Sequence, residues 1–300
     1  MTRLVVVGSV IGDQMMTVPN LPERGGDVLA GPVVAQPGGA FNIVAAAVRL
    51  GLETALLGRI GTGPIGSMLV DGLDRLGATI LLPRSSDGDS GTSIGFIEPD
   101  GERTFVTSPG VEQELTPDDF DSLDWAPDDS VYVSGYDLVY PVTGPTIAYW
   151  LGTHAPRTLL FDPGPLVDDI PDGVLDAVLA QASVASLNDR ELALLGGDVD
   201  SLWARLGRAD AVIVERIGAE GSVLHRRGEA PLRVPGRPVT VVDSTGAGDA
   251  HAGAMLAMLA EGLGVEEAVH RANVAASLAV GRLGSASGPT REALTRALEG

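Results

Sequence analysis

The stretch Asp243-Ser244-Thr245-Gly246-Ala247-Gly248-Asp249 combines small residues with a terminal carboxylate in a pattern suited to one kind of chemistry. Small side chains at 246–248 let the backbone turn tightly, so consecutive N–H groups converge at a helix start and bind an anion without a lysine. Asp249 then stands at the mouth of that anion site, where a carboxylate would repel a bound phosphate unless it has a task. Phosphoryl transfer supplies the task. The amides of Gly246, Ala247 and Gly248 stabilise charge on the moving phosphate, while Asp249 accepts the proton of an attacking hydroxyl. A lone Asp at a helix start would only favour the helix dipole; it is the whole string that points to catalysis.

Positioning such a string requires a strand before it, read at 240–242, and a long Ala-rich helix after it, 247–261. The rest of the chain repeats this alternation. Strand-length apolar runs fall at 4–8, 54–60, 130–134, 158–161, 184–186 and 211–215. Helical patterns fall at 40–50, 65–76, 144–152, 173–181, 189–195 and 265–281, with a short one from 290. The pattern predicts an α/β fold of parallel βαβ units with helices on both faces of a sheet. Two stretches, 14–36 and 90–111, lack helical periodicity and read as hairpins, the second around the turn Pro99-Asp100-Gly101. They predict a small β-sheet beside the main body that serves as a lid, within a single domain spanning 1–300. The acidic segment 117–129 reads as a solvated surface stretch.

Gly61-Thr62-Gly63-Pro64-Ile65-Gly66 spells the dinucleotide fingerprint between a strand and a helix. It follows the second strong strand, Pro64 stiffens it, and the residues about 20 positions on form an Asp87-Gly88-Asp89 turn instead of a strand end. A tight strand-to-helix turn is the simpler reading; a nicotinamide-dependent oxidoreductase is the remote alternative.

Composition removes other classes. All 20 basic residues are Arg, which excludes Schiff-base chemistry, the P-loop lysine and the protein-kinase strand lysine. Zero Cys excludes thiol nucleophiles and thiolate metal sites, and four scattered His make no metal cluster. A net charge of −20 argues against nucleic acid or an anionic membrane as partner. The apolar run 4–7 is too short for a signal peptide, and 28–48 is interrupted by Pro32 and Pro37. A folded cytoplasmic protein is expected.

The seven-residue string resembles the C-terminal signature of the ribokinase-like (PfkB) carbohydrate kinases. Further motifs extend the resemblance over essentially the whole chain. Pro37-Gly38-Gly39-Ala40-Phe41-Asn42, followed by Arg49-Leu50-Gly51, resembles the family's substrate motif. The glycines from Gly58 to Gly66 resemble its glycine turn, Asn188-Asp189-Arg190-Glu191 its N-x-x-E motif, and Gly218-Ala219-Glu220-Gly221 its nucleotide-side turn.

The resemblance implies a three-layer α/β/α fold with a mostly parallel central sheet and a small β lid, ATP and Mg²⁺ as cofactors, and a homodimer through the lid sheet. It makes Asp249 the catalytic base and Gly246, Ala247 and Gly248 the anion hole. It assigns Asn188 and Glu191 to phosphates and, through water, Mg²⁺. Gly218, Gly221 and Asn273 border the nucleotide. Asp13, Gly38, Gly39, Asn42 and Arg103 face the acceptor. The 282–287 loop with Ser287, together with carbonyls near Asp243 and Thr245, resembles the segment that holds a monovalent cation, K⁺, in many relatives. Read from the residues alone, Asn188 is also a helix cap, Asn273 a helix residue bonded to a loop, and Arg103 an exposed strand residue.

Departures from the pattern bear on the acceptor. The glycine motif is one residue tighter than in ribose kinases, their common lysine is missing, Val44 replaces a small residue, and His251 stands where an aromatic is frequent. His251 is expected to pack, and Phe41 either packs or stacks on the acceptor. The function expected is ATP-dependent phosphorylation of a primary hydroxyl on a sugar-like molecule, with an adenosine- or pseudouridine-type nucleoside kinase as alternative.

Overall fold

In the computed structural model, which describes residues 2–299, the strands are β1 (Leu4–Val7), β2 (Val10–Thr17), β3 (Val34–Gly39), β4 (Thr54–Leu57), β5 (Thr79–Ile80), β6 (Thr92–Ile97), β7 (Arg103–Ser108), β8 (Ser130–Ser134), β9 (Thr158–Asp162), β10 (Val184–Asn188), β11 (Val212–Arg216), β12 (Gly221–Arg226) and β13 (Leu232–Pro235). The helices are α1 (Phe41–Arg49), α2 (Pro64–Leu76), α3 (Pro117–Asp121), α4 (Gly135–Leu138), α5 (Thr143–Thr153), α6 (Asp172–Gln181), α7 (Asp189–Leu194), α8 (Val199–Arg205), α9 (Ala247–Ala260), α10 (Val265–Val280) and α11 (Arg291–Glu299).

β1 is apolar and buried at all four positions. Its side chains alternate: Leu4 and Val6 enter one core, Val5 and Val7 the other. This is how a strand covered on both faces must behave. Nine strands share the large sheet, in the order β13-β12-β11-β10-β9-β8-β1-β4-β5. From β11 to β5 every pairing is parallel, and only the pairings β11–β12 and β12–β13 are antiparallel. One face is covered by α1, α2, α9 and α10 through Ile43, Leu69, Met255 and Val269. The other is covered by α5, α6 and α8 through Ile147, Leu175 and Leu202. The Ala- and Gly-rich sequence of α9 lets α1 approach closely: a Cβ on Gly253 would lie 2.6 Å from that of Ala46. The start of α9 is thereby set against α1.

The small sheet has the order β3-β2-β6-β7, antiparallel except for the parallel pair β2–β6. Its register places Gln36, Asp13, Ser93 and Thr107 side by side in one cross-strand row. Neighbours in such a row share a face. The sheet reaches further than 14–36 and 90–111 suggest at its first end, because β2 starts at Val10 and β3 runs on to Gly39; residues 18–33 between them carry no regular structure.

Two local expectations fail. Residues 240–242 form no strand: Val241 and Val242 are 62% and 57% exposed, and the amides of Val242 and Asp243 both donate to the carbonyl of Val280. The segment before the anion string is hung from the end of α10, and β13 takes the sheet edge instead. Nor is 117–129 merely solvated. Its start forms α3, closed by a Thr116/Asp119 capping box, and buries Phe120 among Trp125 and Trp150. Acidic residues dominate the segment, but one aromatic at helical spacing decides which side faces inward.

Candidate active site

α9 opens on Gly246, whose φ of +73° suits glycine, and where a Cβ would lie 2.0 Å from the carbonyl of Ser285. No side chain caps this helix. Among the described residues the amides of Gly246, Gly248 and Asp249 have no backbone partner, and that of Ala247 makes only a long 3.3 Å bond to Ser244. Open N–H groups at the positive end of a long helix form a site for an anion.

Asp249 lies in the first turn, half-buried. Burial pushes its carboxyl up to about 6; a hydrogen bond from Asn42 opposes this, the charge of Asp162 adds to it, and Arg216 counters it. Asn42 Nδ2 donates to Asp249 Oδ2 at 3.0 Å, while Asn42 Oδ1 is buried with no partner.

Two cavities meet at this turn. One, of about 400 Å³, lies between the small sheet and the large one; Asp13, Gly39, Ser93, Thr107 and Asp249 line it. The other, of about 620 Å³, is bordered by Gly218, Gly221, Val239, Val241, His251 and Asn273. Asn188, Arg216, Ser244, Ala247 and Gly248 line both. A group bound at the helix start is therefore reachable from either side.

In the first cavity, the Asp13 carboxylate lies over Gly38, where a Cβ would come within 2.1 Å of its Oδ2. Burial pushes Asp13 up to about 6. Phe41 is buried against Gly72 of α2, so it packs and does not stack on a ligand.

At the junction, Asn188 and Glu191 form a capping box for α7: Asn188 Oδ1 accepts from the Glu191 amide at 3.0 Å, and Glu191 Oε2 from the Asn188 amide at 2.8 Å. Arg216 ties the junction together, donating to Asp162 at 2.8 Å, Ser186 at 2.9 Å and Glu191 at 3.1 Å. A Cβ on Gly248 would be 3.7 Å from its guanidinium carbon.

This joint architecture has known counterparts. The model of the pfkB family carbohydrate kinases matches residues 1–292. The chain belongs to that family. An uncharacterised sugar kinase of Escherichia coli, YegV, is 34% identical over 97% of this chain and 92% of its own. An ATP-dependent ribose-1-phosphate kinase of Halopiger xanaduensis is 29% identical over 98% of this chain and 97% of its own. The structure of Arabidopsis thaliana ribokinase complexed with ribose and ATP superposes with a TM-score of 0.80 at 25% identity, covering 100% of both chains. This PfkB protein is therefore a phosphotransferase with a hydroxyl acceptor, built on the ribokinase-like three-layer fold.

Several expected ligand contacts of the kinase are already taken. Arg103 reaches from β7 to Asp243 Oδ1 and, at 3.1 Å, to Ser244. It bridges the small sheet to the anion string instead of pointing freely at an acceptor. Asp243 also accepts from the amides of Thr245 and Gly284, and Ser287 donates to the carbonyl of Ala279. Burial opposes ionisation of Asp243, yet those two amides and Arg103 hold its carboxyl below the usual range. Both carboxylate oxygens of Asp243 are engaged and a guanidinium is in place, so a K⁺ ion held by Asp243, Thr245 and Ser287 would rest on main-chain carbonyls. Asn273 is similarly bound by the fold, accepting from Ser222 at 2.7 Å and donating to the carbonyl of Val234 at 2.9 Å. His251 is packed beside it, and burial pulls its pKa down to about 3.

The glycine fingerprint at Gly61–Gly66 is closed as well. Asp89 accepts from the amides of Ile65 and Gly66 at 2.9 and 2.8 Å, which fills the start of α2 with a carboxylate of the protein itself. A pyrophosphate has no place there, and the oxidoreductase reading falls.

The sequence reading missed Arg216, Asp162 and Asp137. All three lie at or just beyond the carboxyl ends of parallel strands, β11, β9 and β8, where open α/β sheets gather their ligand contacts. A polar residue ending an apolar strand was the available signal.

Proposed function

We propose that this kinase transfers the γ-phosphate of ATP to a hydroxyl, primary in its preferred acceptor, of a sugar or sugar-like molecule. The observation that carries the reading is the meeting of the two cavities at the open amides of α9, with Asp249 on the acceptor side. The larger cavity takes the nucleotide, bordered by Gly218 and Gly221 with Val239 and Val241 as apolar lining. The smaller takes the acceptor, with Asp13, Gly38, Gly39 and Asn42 around it.

Asp249 accepts the hydroxyl proton. Desolvation makes it a stronger base than an exposed Asp, and the Asn42 N–H fixes one oxygen so that the other can face the hydroxyl. The amides of Gly246, Ala247 and Gly248, with the Arg216 guanidinium beside them, hold the phosphoryl charge as it moves.

Among the described residues no group of three or more His, Cys, Asp or Glu is placed to hold a metal ion. The hard oxygen donors Glu191 and Asp162 at the junction fit Mg²⁺ carried in with the phosphates and bound largely through water. When bound, that ion would neutralise phosphate charge.

The polar face of the small sheet lies over the acceptor and would act as a lid that excludes water, within one kinase domain. Its outer strands β3 and β7 are open edges bearing the exposed Val34 and Val106, which supports a homodimer through this sheet. We place the reaction in the cytoplasm, where ATP is made.

A nucleoside acceptor is the second reading, favoured by Phe105 and Tyr136, half-exposed aromatics lining the acceptor cavity. ADP release measured against a panel of sugars and nucleosides tests both. Turnover of sugars supports the first reading, and turnover of nucleosides alone moves the assignment to the second. If no acceptor of either class is phosphorylated, the kinase proposal fails.

A further inference from the structure

Resting on the reading of the smaller cavity as the acceptor site, we infer that the acceptor is an uncharged, hydroxyl-rich molecule, and that Asp13 and Asp137 exclude sugar acids and sugar phosphates. The carboxylates Asp13, Asp137, Asp162, Glu191 and Asp249 line that cavity, and among the described residues Arg216 is the only basic one in its lining. Arg216 is already ion-paired to Asp162 and Glu191 at 2.8 and 3.1 Å. Arg103, the nearby alternative, is held by Asp243. No guanidinium is left to pair with an anionic group on an acceptor.

Three of the side chains that line the cavity offer it acceptor atoms. Asp13 receives no hydrogen bond from the protein's described residues, and Asn42 Oδ1 is buried without a partner. Asp137 is 2% exposed and bonded on one oxygen by Ser9 Oγ at 2.5 Å. Each can accept a hydrogen bond from a hydroxyl. A phosphate or carboxylate on the acceptor would meet these carboxylates and a bare amide oxygen; the donors facing it are the uncharged hydroxyls of Ser93, Thr107, Tyr136 and Tyr140, while the α9 amides are reserved for the transferred phosphoryl group. The cavity discriminates by what it lacks as much as by what it offers.

Asp137 deepens this bias from beneath. It sits in α4, just after β8, and presses on Gly8, where a Cβ would be 2.5 Å from its Oδ2. Its Oδ2 thus packs close to the Gly8 backbone, while Ser9 Oγ holds its Oδ1.

The test uses matched acceptors that keep the same primary hydroxyl free: ribose against ribose 1-phosphate, glucose against gluconate, and uridine against uridine carrying a phosphate on a secondary ribose hydroxyl. ADP release is measured for the full-length wild type, Asp13→Asn and Asp137→Asn. The neutral member of an accepted pair should exceed its anionic partner by at least about 100-fold in kcat/KM. The ratio should shrink about 10-fold or more in either variant, whatever the absolute rate. A ratio is insensitive to loss of folded protein. If an anionic member is turned over as fast as its neutral partner, or if the ratio stays unchanged in both variants, the charge-exclusion inference is overturned while the kinase reading stands. If no pair is phosphorylated, the kinase reading itself fails and the inference falls with it.

Discussion

Asn42 and Asp249 lie 207 positions apart in the chain and 3.0 Å apart at Nδ2 and Oδ2. The bond joins the first turns of α1 and α9, so the acceptor motif and the anion string form one unit. It also bears on when Asp249 can act. As the proposed base it would work only when ionised; burial raises its pKa to about 6, and the Asn42 N–H works against that rise. kcat/KM should climb through about pH 6 and then level off. In Asn42→Ala the limb should move to higher pH, because the ionised form loses a donor. A pH–rate profile unchanged by Asn42→Ala would separate the two residues functionally.

Asp249→Asn should lower kcat by roughly 10²–10⁴-fold while ATP binding measured by calorimetry persists. The same variant should gain stability at neutral pH. Because the folded-state pKa of Asp249 lies above its unfolded value, stability contributed by the protonated form is full at low pH and is lost as pH rises through about 6. The melting temperature of Asp249→Asn should therefore exceed wild type at about pH 8 and approach it at about pH 4. Equal melting temperatures at both values would mean that the carboxylate is well solvated.

Arg216 holds Asp162 and Glu191 together while standing beside Gly248. Arg216→Met should destabilise the fold by about 3 kcal/mol, since two carboxylates lose their shared partner, and should also slow phosphoryl transfer. Arg216→Lys retains a charge, but a point charge cannot bridge both acids, so kcat should fall about 10-fold with a smaller stability loss. Denaturant unfolding and initial rates check the two effects separately.

Arg103 occupies the Asp243 carboxylate, which leaves a monovalent cation only main-chain carbonyls in this turn. Initial rates in potassium, sodium and tetramethylammonium chloride at one ionic strength should coincide. Arg103→Ala opens Asp243, and potassium should then raise the rate of that variant selectively. Strong potassium activation of the wild type would show that main-chain carbonyls of this turn hold the ion without the Asp243 carboxylate.

The small-residue string that opens α9, the alternation of parallel strands with helices and the existence of a second sheet were readable because each has a local signature: small residues before a helix, or apolar runs of strand length. What was unreadable depends on partners far away in the chain. Arg216 looks like any strand-end residue until Asp162 and Glu191 are brought to it, and Asp137 lies within four residues of an ordinary helix start. The stretch at 240–242 has strand composition, yet its amides turn to Val280 because β13 already closes the sheet. Local propensity yields there to the edge that tertiary structure leaves available.

Asp89 offers the opposite case, a carboxylate at a helix start that does no chemistry. It accepts from the amides of Ile65, Gly66 and Ser90 at 2.9, 2.8 and 2.8 Å. Burial opposes its ionisation, but the amides of Gly66, Ile65 and Ser90 and the charge of Arg84 outweigh that and hold its pKa below the usual carboxylate range. The stability it confers is therefore present above its unfolded pKa and lost as pH falls through the lower folded one. Asp89→Ala should cost about 1–2 kcal/mol near neutral pH, the loss of a helix cap, while kcat and both KM values stay near wild type. Paired denaturation curves and rate measurements decide it. Loss of turnover at unchanged stability would instead place the α2 turn in the kinase reaction.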